Sequence, residues 1–268
     1  MKNWQNPFTW AAYIKSLRLS TGISASLLSY SAFILAHQDT PWSIVISIGC
    51  ICSATMAWND YRDRENDRKK GKVFASNNPQ PFLVFCLMLW TMACSISIYA
   101  TYLYSFANTQ LLWLGIFIGV TYSETRKLFL LPAVLVALAT ALPSMLAYKA
   151  EYQNGVLLLS FAIFLFIFAR ENIKDIEDKK IDTGYKNTLP QSVETHQVLV
   201  FVGFLVFMGA LTTVFLFPFT ATSFHFVALG FLITSGALFL LHIESKMNLA
   251  KNLLDLGILV LLLSILTK

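Results

Sequence analysis

Nine apolar runs, separated by polar stretches, set the terms for what this chain can fold into. A run of about 20 apolar residues crosses the hydrocarbon core of a bilayer as one helix. With that window the chain predicts spans at approximately 16–37, 41–58, 81–104, 109–123, 128–148, 154–170, 196–219, 223–243 and 250–266. In lipid the backbone must satisfy its own polar groups, and a helix does so within one segment. Composition agrees: 56% of the 268 residues are hydrophobic and 13% are charged, against about 25% charged in a soluble domain. The expectation is an all-α integral membrane bundle of nine transmembrane helices, multi-pass, forming a single domain over 1–268.

Orientation follows from Lys and Arg, which concentrate on the cytoplasmic side of membrane proteins. With the N-terminus cytoplasmic, 18 of the 20 basic residues fall on that side, leaving only Lys149 and Lys268 outside. The pI near 9.0 is therefore mostly topology. A basic cytoplasmic face also suits anionic lipid headgroups and phosphorylated substrates. Nucleic acid is excluded as a partner, because the bases are interleaved with acids and confined to membrane exits. Met1 to Lys15 is polar and aromatic, unlike the apolar core of a cleavable signal peptide. Trp4, Phe8, Trp10 and Tyr13 predict a segment in the membrane interface before the first span. Cys50, Cys52, Cys86 and Cys94 lie within predicted spans with no zinc spacing, and read as small hydrophobes. His37, His196, His225 and His242 are scattered at span ends and form no metal set.

The informative acids sit where two spans leave the membrane. Asn59-Asp60-Tyr61-Arg62-Asp63-Arg64-Glu65-Asn66-Asp67 follows the second span directly. At about 100° per residue, Asp60, Asp63 and Asp67 share an arc of roughly 60° on one helix face. Their mutual repulsion costs a few tenths of a kcal/mol per pair even when solvated, so a cation is expected there. Asp175, Asp178 and Asp182 repeat the same offsets 115 residues on, after the sixth span. The simplest account is an internal repeat of four helices (about 16–127 and 128–243) with the ninth span appended. Such symmetry often places a site at the repeat interface, with the two acidic faces looking at each other across one cavity.

Further features bear on that site. Arg18 begins the first span, and either snorkels to headgroups or points inward to hold a phosphate. Arg68-Lys69-Lys70-Gly71-Lys72 is a basic loop that could close over a diphosphate. Spans three and four form a hairpin turning at Ala107-Asn108-Thr109; span four ends in Tyr122-Ser123-Glu124-Thr125-Arg126-Lys127. Pro143 is the expected kink of span five. Glu171 shares a face with Asp175, four residues on, whereas Glu177 is expected to be solvated. Asp255 is expected to reach water or Lys251.

Nine of the 15 Asp and Glu lie in the two acidic stretches. An acid at mid-bilayer costs about 2.5–3.5 kcal/mol on insertion scales, which places them at the cytoplasmic mouth. Carboxylates without convergent His or Cys favour a hard, oxygen-seeking cation. Mg²⁺ fits best, since it takes one or two carboxylates and shares its remaining shell with water and substrate phosphate. Arg18, Arg62, Arg68, Lys72, Arg126, Lys127, Arg170 and Lys174 could take the remaining phosphate charge. Acids, metal and bases together make a diphosphate site at the mouth of an apolar bundle. The organic part of the ligand is then a long hydrocarbon.

These residues resemble the UbiA superfamily of intramembrane prenyltransferases. Its first motif, Asn-Asp-x-x-Asp-x-x-x-Asp, is met by Asn59, Asp60, Asp63 and Asp67, and its second by Asp175, Asp178 and Asp182. The run Lys174-Asp175-Ile176-Glu177-Asp178 is similar to members acting on homogentisate, chlorophyllide or glyceryl-phosphate lipids. The resemblance covers the whole chain. It implies Mg²⁺-dependent transfer of a polyprenyl group from an allylic prenyl diphosphate to an acceptor such as a quinone precursor. It also implies that Asn59, Asp60, Asp63, Asp67, Asp175, Asp178 and Asp182 are metal or diphosphate ligands. Arg18, Asn59, Arg68, Lys72, Tyr122, Arg126, Lys127 and Lys174 are then the diphosphate-binding candidates. Two features depart from the family pattern: Arg126 stands where a Lys is common after Tyr122, and Leu19 where a Pro is common after Arg18.

A terpene cyclase on the same scaffold shares the ionisation, but its cation is captured by an alkene of its own chain. A cation transporter usually places its acids near mid-bilayer on broken helices. A phosphatidyl-alcohol transferase needs Gly and Ala-Arg shortly after its second Asp, where Arg64-Glu65-Asn66 stands here.

Overall fold

The computed structural model describes residues 10–69, 71, 73–148, 153–179, 181–220 and 247–266, with residues 230, 233 and 236. Its helices are α1 (Trp10–Ser16), α2 (Leu19–Leu35), α3 (Trp42–Arg62), α4 (Arg64–Lys69), α5 (Phe74–Asn77), α6 (Pro79–Tyr104) and α7 (Phe106–Thr121). A 3-10 helix follows at Tyr122–Lys127, then α8 (Leu131–Met145), α9 (Gln153–Glu177), α10 (Leu189–Ser192), α11 (Thr195–Thr220) and α12 (Met247–Leu266). Among the described residues five helices are long and apolar enough to cross a bilayer: α3, α6, α9, α11 and α12. The protein is an integral, multi-pass, all-α membrane protein. Helices also stand at the predicted windows 16–37, 109–123 and 128–148. The window 223–243 lies outside the described residues except for 230, 233 and 236.

The chain divides into two compact units: Met1–Ser26 with Pro41–Ser123, and Leu27–Thr40 with Glu124–Lys268. In the first unit, α2 and α3 meet through small residues at i, i+4 spacing. A Cβ on Gly49 would lie 2.6 Å from Ser26 Oγ, and one on Gly22 would lie 2.9 Å from Ser53 Oγ. Small residues let backbones approach closely where lipid offers no hydrophobic drive between helices. Ser26 Oγ donates to Val45 O at 2.9 Å across the same seam. Gly119 likewise brings α7 against Thr55 and Trp90.

Tyr13, expected in an interfacial segment, belongs to the short helix α1 and turns inward. It is 8% exposed and packs against Phe74, Phe82 and Phe85 at centroid distances of 4.9–6.2 Å. Edge-to-face and offset ring pairs of this kind add to the burial of the rings themselves. Trp4 and Phe8 lie outside the described residues. The hairpin between α6 and α7 also turns earlier than predicted, at Ser105 (φ 70°). Ala107, Asn108 and Thr109 already belong to the first turn of α7. Thr109 is buried against Thr101, with their hydroxyls 2.9 Å apart, and Asn108 Nδ2 donates to Tyr104 O at 2.7 Å. The polar residues there serve the helices, and the reversal needs one residue.

In the second unit α9 is the central element. Its Phe166, Ala169 and Ile173 pack with Ala133 and Ala137 of α8, Val198 and Val202 of α11, and Leu254 of α12. Gly209 of α11 makes room for the Phe166 ring, 2.8 Å from where a Cβ would stand. The Ser144 and Ser160 hydroxyls, 2.6 Å apart, tie α8 to α9. Pro143 is buried inside α8, which ends two residues later at Met145.

Candidate active site

Helix α3 does not stop where its apolar run stops. It carries Asn59 and Asp60 beyond that run and ends at Arg62. Asp63 breaks the regular helix, with its amide directed to both Asn59 O and Tyr61 O; Asp and Asn compete with helix through such local bonding. The spacing survives the break. Asp63 N donates to Asn59 O and Asp67 N to Asp63 O, each at 2.8 Å. Asp60 thus lies in the last turn of α3 and Asp67 on α4, where the spacing alone predicted one continuous helix face. Asp63 (7% exposed), Asn66 (4%) and Asp67 (8%) are buried.

Arg18 has a carboxylate partner that its local sequence does not show. It stands between α1 and α2 at φ 44°, and its guanidinium lies 2.7 Å from Asp60 Oδ1. A second nitrogen contacts Met56 Sδ at 3.4 Å, one helical turn earlier on α3. The first motif therefore carries its own cationic partner. Arg62 and Arg68 are exposed, and Gly71 turns the following loop at φ 79°. Lys72 lies outside the described residues. Tyr122, half-buried, opens the 3-10 helix, in which Ser123 is buried and Lys127 exposed. Three residues per turn puts Tyr122 and Thr125 on one face and rotates position 126 away from it. The Arg126 side chain is outside the described structure.

The second motif repeats the backbone logic. Helix α9 ends at Glu177, yet Asp178 N bonds Lys174 O and Asp182 N bonds Asp178 O, both at 2.9 Å. Asp175 and Asp178 are half-buried, and Asp182 is 2% exposed. Lys186 Nζ lies 3.0 Å from Asp182 Oδ2. Sequence reasoning passed over Lys186, although its i, i+4 position after Asp182 was the available signal. Glu171, 8% exposed, receives Arg170 at 2.9 Å and Lys174 at 3.1 Å. Asn172, also passed over, is fully buried; its amide nitrogen donates to Phe168 O at 2.8 Å.

Two further acids are exposed, as expected, and each also has an ion-pair partner on another helix. Glu177 is held by Lys251 Nζ at 2.6 Å, and Asp255 pairs with Arg170 Nε at 2.7 Å. Both partners come from a helix far away in sequence, brought in by packing of α9 on α12.

The acidic donors are all oxygen, which suits a hard divalent cation. Among the described residues no group of three or more His, Cys, Asp or Glu side chains converges as in a closed metal site. Mg²⁺ does not require one, since it keeps several waters and binds through one or two carboxylates plus substrate phosphate. By donor chemistry the residues of either motif fit it.

Comparisons with known proteins bear on the fold and the family. The chain is similar to a solved structure from a study of digeranylgeranylglyceryl phosphate synthase in membranes, at 17% identity and TM-score 0.70. That match covers 96% of this chain and 97% of the other. The apo structure of a UbiA homolog from Aeropyrum pernix K1 matches at 14% identity and TM-score 0.76, over 93% of this chain and 98% of that one. At such identities the likeness is one of fold. No curated protein sequence matches the chain. The sequence profile of the UbiA prenyltransferase family matches residues 19–252. With both acidic stretches inside that match, the chain belongs to the UbiA prenyltransferase family and is a membrane prenyltransferase.

Proposed function

We propose that this enzyme transfers a polyprenyl group from an allylic prenyl diphosphate to an aromatic or other small or lipidic acceptor, with Mg²⁺ as cofactor. The observation that carries the reading is the pair of acid motifs with equal spacing, each with buried carboxylates, at the ends of apolar helices α3 and α9. Asn59, Asp60, Asp63 and Asp67, with Asp175, Asp178 and Asp182, are the residues that would hold Mg²⁺ beside the diphosphate. Bound Mg²⁺ supplies Lewis-acid stabilisation of the departing diphosphate. Arg18, Arg68, Lys72, Tyr122, Arg126, Lys127 and Lys174 take the phosphate charge that remains. Fixed charges of this kind stabilise a leaving group without reorganising during the reaction. The C–O bond to diphosphate breaks and leaves an allylic carbocation. An electron-rich carbon or oxygen of the acceptor attacks it, and the acceptor gives up a proton. Apolar helices keep water away from the cation until then.

The reading includes nine spans in two pseudo-repeats plus one helix, the N-terminus in the cytoplasm, and the site facing that compartment. Its test is turnover of prenyl diphosphates of several lengths with a panel of quinone precursors, followed by mass detection. Prenylated acceptor in Mg²⁺, lost with EDTA and restored by added Mg²⁺, is the expected result. A cyclic hydrocarbon formed without acceptor would assign the cyclase reaction instead.

A further inference from the structure

We propose that the last helix, α12, positions a substrate-binding lysine of the second motif: Asp255 acts through Arg170 and Glu171 to orient Lys174. The proposal rests on the reading of Lys174 as a diphosphate ligand given above. Asp255 lies beyond the residues matched by the family profile, which end at 252.

The geometry forms a chain of alternating charge. Asp255 Oδ1 is 2.7 Å from Arg170 Nε. Another nitrogen of the same guanidinium donates to Glu171 Oε1 at 2.9 Å. The other carboxylate oxygen, Oε2, accepts from Lys174 Nζ at 3.1 Å. The Glu171 side chain is 11% exposed, so its partners are felt at lower dielectric than surface charges are. An arginine fork left to itself closes on a carboxylate with two parallel bonds. The ion pair at Nε draws the fork toward Asp255. One Glu171 oxygen is then available to the lysine, whose four-carbon stem is otherwise flexible. The lysine ammonium is thereby held against Glu171, and Lys174 itself stands one residue before Asp175 of the second motif. A second tie, Lys251 to Glu177 at 2.6 Å, fixes α9 against α12 one end further along. The two ties carry opposite polarity: α9 presents its base first and its acid second, and α12 answers in antiparallel order. Register between the helices is thus specified by charge as well as by Leu254 in the core.

The test is a double-mutant cycle on full-length protein in nanodiscs, with calorimetric titration of inorganic pyrophosphate in Mg²⁺ buffer. Asp255→Asn is expected to weaken pyrophosphate binding roughly three- to tenfold, within the coupling range of contacting residues. Lys174→Gln is expected to weaken it as well, and the double variant to bind no worse than Lys174→Gln alone. Asp255→Glu is expected to restore binding to within about twofold of wild type, a rescue that bare helix packing does not predict. Additive losses in the double variant, or Asp255→Asn binding like wild type, would overturn the proposal while leaving the Lys174 reading intact. If Lys174→Gln binds like wild type, that reading falls and the proposal with it. Asp255→Ser takes the place of Asp255→Asn in the same cycle should the latter not yield monodisperse protein.

Discussion

Asp63 and Asp178 occupy the middle of their motifs, each with its amide bonded to the carbonyl four residues back. Truncating either side chain leaves that backbone bond in place while removing one carboxylate of the proposed metal site. Asp63→Ala and Asp178→Ala are therefore expected to lower turnover by roughly 100-fold or more, with size-exclusion profiles unchanged. Prenylated product measured by mass spectrometry checks this, and retained activity in either variant would show the site is misassigned. Arg18 makes a sharper prediction. Its removal leaves the Asp60 carboxylate, 19% exposed, without this guanidinium. Arg18→Lys keeps the charge but not the planar fork. The KM for prenyl diphosphate is expected to rise in Arg18→Ala and less in Arg18→Lys, which steady-state kinetics on the pair will show.

At the scale of elements, the α2–α3 seam depends on two glycines with serines facing them. Gly49→Leu must push α2 away, because even a Cβ there falls 2.6 Å from Ser26 Oγ. A cost of about 1–3 kcal/mol is expected, as for other overpacked sites. It is readable as a lower thermal midpoint in detergent, whereas the same change at Gly115, with nothing within 4 Å, is expected to be nearly neutral. The course of these helices was legible in the sequence because lipid demands long apolar runs, and α3, α6, α9 and α11 follow those runs. The acidic motifs were legible for the same reason, as charge placed directly after such runs. Their partners were less so. Nothing local joins Arg18 to Asp60, Arg170 to Asp255 or Lys251 to Glu177; each pair exists because helices remote in sequence pack together. The break at Asp63 was also hidden, since the i, i+4 backbone bonds preserve across it the periodicity from which an unbroken helix was read.

For the whole molecule, the distribution of bases makes a topological prediction. Single cysteines at Asp39 and Thr183 are introduced after Cys50, Cys52, Cys86 and Cys94 are replaced by Ala. Both sites are exposed in loops. In right-side-out vesicles an impermeant maleimide is expected to label Asp39→Cys and spare Thr183→Cys; the reverse pattern would invert the proposed orientation. Burial differs sharply between the helices such an experiment brackets. The apolar window of α9 is 67% buried, against 28% for α6, where Met88, Tyr99 and Tyr102 face outward. The acyl chains around α6 are therefore a solvent that changes with every preparation, while α9 carries its own surroundings with it. Exchanging native lipid for detergent alters more of what touches α6 than of what touches α9, so the packing around α9 is the part of the fold expected to carry over between media.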